Sequence, residues 1–173
     1  MALTLKYSNE DDRAYGLAGM TITLADLDAV DRVVSVSLDT EGPMIDFSQE
    51  YYFSVSPAVS PKAVWNNLLQ NYHITASMVV SNILARSLVR LGEDVPSDIM
   101  QSVYDEIEAE GRDTVGLDPD EVKMIFNKIL SRNRRIFNNP RLRPAIAELA
   151  SIISRERTLS GGELRDRLHY LQL

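Results

Sequence analysis

The sequence predicts an α+β fold that is mainly α, with a small N-terminal antiparallel sheet packed on a bundle of about five or six helices. Three observations predict it. Before position 60, apolar residues recur with a period of two. After it, they recur at helical spacing between recognisable caps. The chain has 173 residues, 45% of them hydrophobic, enough to bury roughly 70% of its unfolded surface in one core.

The elements follow in order. Leu3, Leu5 and Tyr7 alternate with polar residues and predict a first strand. Met20, Ile22 and Leu24 alternate with threonines in the same way, and Thr23 with Asp26 resembles a capping box for a short helix over about 24–32. The alternation of Val34, Val36 and Leu38 with Ser35, Ser37 and Asp39 is the clearest strand signal. Glu41-Gly42-Pro43 is a turn. Tyr51, Phe53 and Val55 predict a further strand.

From Ser60 onward every segment predicts helix. Ser60 and Pro61 make an N-cap and first-turn proline, and Val64, Trp65, Leu68, Leu69 and Tyr72 share a face. Asn71-Tyr72-His73 reads as a short break. Ile74–Leu91 is apolar nearly all round, the pattern of a central buried helix, and Gly92 ends it. Pro96 opens a helix with Ile99, Met100, Val103 and Ile107 on one face and Gly111 as its stop. Asp118-Pro119-Asp120-Glu121 starts another, lined by Val122, Ile125, Phe126, Ile129, Leu130, Ile136 and Phe137. Asn139-Pro140 breaks the chain, and Ile146, Leu149, Ala150 and Ile153 mark the next helix. Ser160 with Glu163 caps a final one carrying Leu164, Leu168 and Leu171. Residues 1–60 are too few for a core of their own. They are expected to pack on the bundle of residues 61–173 as one unit.

Composition excludes several chemistries. With no Cys there is no disulfide, thiolate metal site or thiol catalysis. His73 and His169 are the two histidines. Asp166 lies one helical turn before His169, but a di-iron bundle needs Glu-x-x-His on two helices, and the chain has none. No Gly-x-Ser-x-Gly elbow, Gly-x-x-x-x-Gly-Lys-Ser/Thr loop or Gly-x-Gly-x-x-Gly turn is present. Leu159-Ser160-Gly161-Gly162-Glu163 resembles the signature loop of ABC-type ATPases over five residues, and a helix cap explains the same residues. Asp118–Glu121 lacks the spacing of a calcium loop. Lys62–Asn71 and Ile74–Leu91 have helix-turn-helix lengths, but the second helix exposes no polar recognition face. No cofactor, metal or catalytic residue is expected. Nor is a membrane span or targeting segment, and a cytoplasmic location follows.

Charge is the most specific signal. Residues 93–121 hold eleven acids and one base, Arg112, whereas residues 122–147 hold seven bases and no acid. On a helical wheel the bases from Lys123 to Arg135 occupy about 0° to 180° and the apolar set about 200° to 340°, so the basic face points outward. The expected function is non-catalytic: a cytoplasmic protein–protein interaction or assembly protein, homo-oligomeric. In it Lys128, Arg132, Arg134, Arg135, Arg141 and Arg143 meet Asp105, Glu106 and Glu108 of a second copy, or another acidic protein surface. The alternative is a nucleic-acid-associated protein using the Lys123–Arg143 face, which a net charge of −7 opposes. Phe47, Tyr51, Tyr52, Phe53, Trp65 and Tyr72 form an aromatic cluster in sequence, expected to join sheet to bundle in preference to forming a ligand groove.

Overall fold

The computed structural model describes residues 3–52 and 60–173. Over these described residues it is mainly helical, with seven α-helices and a three-stranded antiparallel sheet. The order is α1 (Glu10–Asp26), a 3-10 turn (Val30–Arg32), β1 (Val33–Ser37), β2 (Ile45–Phe47), α2 (Gln49–Tyr52), α3 (Pro61–Leu84), α4 (Ser97–Glu110), α5 (Pro119–Phe137), α6 (Arg143–Glu156), β3 (Thr158–Ser160) and α7 (Gly161–Leu171). The last turns of α3 and α4 widen into π-helix over Ala85–Leu91 and Gly111–Val115.

Several local expectations are corrected. Leu3–Tyr7 is not a strand, and the Met20–Leu24 alternation lies inside α1. The short helix expected over 24–32 is instead the end of α1 and the 3-10 turn. Asn9 caps α1 by accepting from the Asp12 N–H, and Glu10, Asp11 and Asp12 fill the first turn, where the helix dipole favours acids. Tyr51 lies in α2, and Phe53 and Val55 fall outside the described residues. No break occurs at Asn71-Tyr72-His73: α3 runs through it. Gly111 does not stop α4, because the chain stays helical to Val115. Gly116, at φ 73°, makes the stop, as Gly92 does at φ 71°.

Sheet order is β2-β1-β3, and the third strand comes from the far end of the chain. Val36 pairs with Ile45 on one side and Leu159 on the other. A bulge between Val33 and Ser35 turns Val34 outward.

The core sits where α1, α5 and α6 pack around α3 and its neighbours. Ile83 and Leu84 are buried, as are Leu17, Leu24, Val122, Ile129, Ile146 and Ile153. Helix Pro61–Leu91 is long and apolar enough to cross a membrane, but 72% of its most apolar window is buried inside the fold, as in a core helix. The N-terminal segment is clamped to this helix by Arg86, whose guanidinium donates to the Thr4, Leu5 and Lys6 carbonyls and lies over the Tyr7 ring.

Candidate functional site

The outward side of α5 forms a charged groove. Its inner side is anchored first. Asp118 and Glu121 complete a reciprocal capping box, and Val122, Phe126, Ile129 and Phe137 are buried. Asn133 is buried with them and donates to the Ser77 carbonyl of α3 at 3.0 Å. That orientation leaves Lys123, Asn127, Lys128 and Arg135 facing solvent. Together with His73 from α3 and Asp26 from the end of α1 they line a groove of about 1080 Å³.

The predicted basic residues take different roles. Arg132 is pinned to α1, through its Nε to the Asp26 carboxylate and through Nη2 to the Asp26 carbonyl at 2.7 Å. Arg143 turns back onto the end of α5, donating to the Phe137 carbonyl at 3.2 Å and Asn138 Oδ1 at 3.3 Å, where it caps orphan acceptors. Arg134 approaches Asp94 at 3.5 Å, and its Nε is buried without an acceptor. Lys128, Arg135 and Arg141 are exposed and, among the described residues, have no ion pair. Lys123 is in the same position.

On α4, Asp105 and Glu106 are exposed and Glu108 is half-buried. Asp105 accepts from Gln101 at 2.8 Å, while Glu106 and Glu108 make no hydrogen bond or ion pair among the described residues, and the charge of Glu108 reaches Arg112. Among the described residues the acidic and basic segments share a single ion pair, Arg134–Asp94. Predicted acids and bases thus lie on adjacent helices without neutralising each other.

His73 is half-buried in the groove. Burial pushes its imidazole below the ordinary value, and Arg132 and Lys128 push in the same direction. Tyr104 is raised by burial and then by Glu108, Asp105 and Asp120. Sequence reasoning missed His73 and Asp26 as groove residues, because their approach to α5 depends on how α1 and α3 pack. Asp166 and His169 are exposed, and no group of three His, Asp or Glu among the described residues is placed to hold a metal ion.

The aromatic cluster is divided. Phe47 and Tyr51 stack with centroids 4.1 Å apart. Tyr72 is buried, donating to the Ile107 carbonyl at 2.8 Å. Trp65 is 46% exposed and Leu68 43% exposed. None of Pro61–Asn71 is buried, whereas almost every residue of α3 from Tyr72 to Leu84 is buried or half-buried. Tyr72 packs at the level of Gly111 and Val122, near the α4–α5 end of the bundle. The first eight residues of α3, Pro61–Leu68, therefore form an arm about 12 Å long, whereas Leu69 packs against the core and Asn71 donates to the Tyr51 carbonyl at 2.9 Å.

No family model matches the chain, and no curated protein sequence matches it either.

Proposed function

We propose that this chain is a non-catalytic interaction and assembly protein that associates with a second copy of itself. The observation that carries the reading is the α3 arm, with Trp65 and Leu68 exposed beside the half-buried Val64 and Leu69. An apolar stripe of this kind on a soluble surface marks a contact site. Its chemistry favours an identical partner. Pro61–Asn71 carries one charged residue, Lys62, in a chain of net charge −7. Its remaining polar side chains include Asn66, Asn67 and Gln70, amides that both donate and accept, so two arms meet without like-charge repulsion. A strongly acidic or basic partner would find no counter-charge there. The lack of Cys supports action in the reducing cytoplasm.

Sedimentation velocity of the native chain and of Trp65→Asp/Leu68→Asp tests it. The native chain should associate at about 1 M salt, where charge contacts are screened. The arm variant should be monomeric there, with an unchanged far-UV spectrum because both residues are exposed. A native chain that is monomeric under those conditions overturns the reading.

A further inference from the structure

A second cavity, of about 910 Å³, opens between the N-terminal segment, α1, β2 and α3. It shares no lining residue with the α5 groove, and neither Trp65 nor Leu68 lines it. Small-molecule sites fall in the range of about 300–1,000 Å³ and are mostly apolar. The floor here fits that description, with Met20, Met44, Ile45, Phe47 and Met78. Ile45, Phe47 and Met78 are buried, so the core holds the floor in place. Three of the five are methionines, whose unbranched thioether chains adapt to irregular apolar shapes.

The polar part of the lining offers donors that the fold leaves unused. Arg13 is fixed at the cavity wall, donating from Nη2 to the Thr40 carbonyl at 2.9 Å and from Nε to the Met44 thioether at 3.2 Å. Its Nη1 has no acceptor among the described residues. Tyr7 accepts from Asn82 at 2.7 Å, and its own O–H has no acceptor among the described residues. Burial raises the Tyr7 phenol above its ordinary value, so that proton is present at neutral pH, and Arg13 lies close enough for its charge to act on the phenol. Lys6 is exposed and makes no side-chain hydrogen bond or ion pair among the described residues. The carboxylate in the lining, Glu10, is already held by Arg157 at 3.0 and 3.1 Å.

The geometry points to a binding site for a small anionic amphiphile, with its apolar chain on the methionine floor and a carboxylate or phosphate head on Arg13 Nη1 and the Tyr7 O–H, Lys6 standing at the rim. A guanidinium held in place by two other bonds presents its free N–H groups to an oxyanion with little ordering left to do. A cationic head would be repelled by Arg13 and Lys6. An extended peptide is disfavoured, because β2, the sheet edge beside the cavity, is three residues long and offers few backbone partners. The site is independent of the arm and of self-association.

The methionines make the cavity readable. Methyl NMR of the full chain titrated with decanoate, below its micelle concentration, should shift the Met20, Met44 and Met78 signals. Met100 and Met124, which line other depressions, should stay in place. Calorimetry should show decanol, the same chain without the charge, binding at least about tenfold more weakly, the worth of a charged hydrogen bond. Arg13→Gln should raise the decanoate Kd about tenfold or more and narrow the preference over decanol. Lys6→Gln removes an exposed side chain that holds nothing in the fold, and should raise the Kd about two- to fivefold with the far-UV spectrum unchanged. Decyl phosphate separates the two heads: tighter binding than decanoate assigns a phosphate ester, weaker binding a carboxylate. Cavity methyls that do not shift, equal shifts at Met100 and Met124, equal affinity for decanol and decanoate, or a Kd indifferent to both substitutions overturns the site.

Discussion

Asp12 holds Arg86 with both carboxylate oxygens, Oδ1 on Nε and Oδ2 on Nη2, each at 2.8 Å. Both residues are 1% exposed. The pair joins the first turn of α1 to the π-helical end of α3, and Arg86 spends its remaining donors on the carbonyls of the N-terminal segment. Ser8 completes the carboxylate with its N–H and hydroxyl, and Arg90 adds a longer contact at 3.3 Å.

Removing one partner leaves a buried charge uncompensated. Asp12→Ala should therefore destabilise the fold by about 3–5 kcal/mol in urea melts. A loss under about 1 kcal/mol would show that Arg86 reaches water once freed. Burial works to raise the Asp12 carboxyl, but hydrogen bonds from Arg86 and Ser8 outweigh it and hold the carboxyl below its ordinary value. The stability it supplies is then present above the unfolded value of about 3.9 and is lost as pH falls through the lower folded value. Acid unfolding of Asp12→Asn should be less steep across that window.

Ile83 and Leu84 are 4% and 0% exposed on the central helix. Truncating either leaves a cavity on a different side of α3. Ile83→Ala and Leu84→Ala should each lose about 2–5 kcal/mol in denaturant melts.

Gly19 lets α1 lie directly on α3. A Cβ there would come within 2.6 Å of both the Ala85 Cβ and the Ser81 carbonyl oxygen. The helices must separate to admit a methyl group. Gly19→Ala should cost about 1–3 kcal/mol although alanine is the better helix former. A gain in thermal stability would show that the α1–α3 seam has slack.

His73 should titrate below the ordinary value of about 6.5 in the monomer, followed by its ring proton shifts in NMR. Burial, Arg132 and Lys128 depress it, and Asp26 and Asp120 are the acids lining the same groove. Because its folded value is the lower one, protonation favours the unfolded chain. Stability at His73 is full above about 6.5 and declines as pH falls toward the folded value. A titration at or above about 6.5 would show that the groove acids outweigh burial and the two bases.

Much of the helical half is legible from local signals. The Ser60, Asp118 and Ser160 caps each accept the backbone N–H three residues on, and the Asp118 and Ser160 boxes form both of their bonds. The amphipathic stripe of α5 set which face is buried and left Lys123, Lys128, Arg132 and Arg135 exposed, but it missed that Arg134 is half-buried with its Nε out of solvent. α1 was misread for a physical reason. Leu17, Ala18, Gly19, Thr21, Ile22, Thr23 and Leu24 are all buried, so no one-sided stripe betrays the helix, and the threonines imitate a strand. The Asn9 cap and three following acids were the usable signal.

What the sequence determined by itself is what neighbours three or four residues apart can settle: capped helices, the β1 strand, and the abrupt change from acid to base between α4 and α5. What the tertiary structure alone decided links residues far apart in the chain. β3 becomes a strand because Leu159 finds Val36 across 123 positions. Its tight junction with α7 needs Gly161, where a Cβ would lie 2.0 Å from the Val33 carbonyl oxygen. Arg86 is a buried ion because Asp12 meets it, and Arg132 is tethered because α1 ends at Asp26. Such pairings depend on where the chain returns in space, and no local period or cap encodes that position.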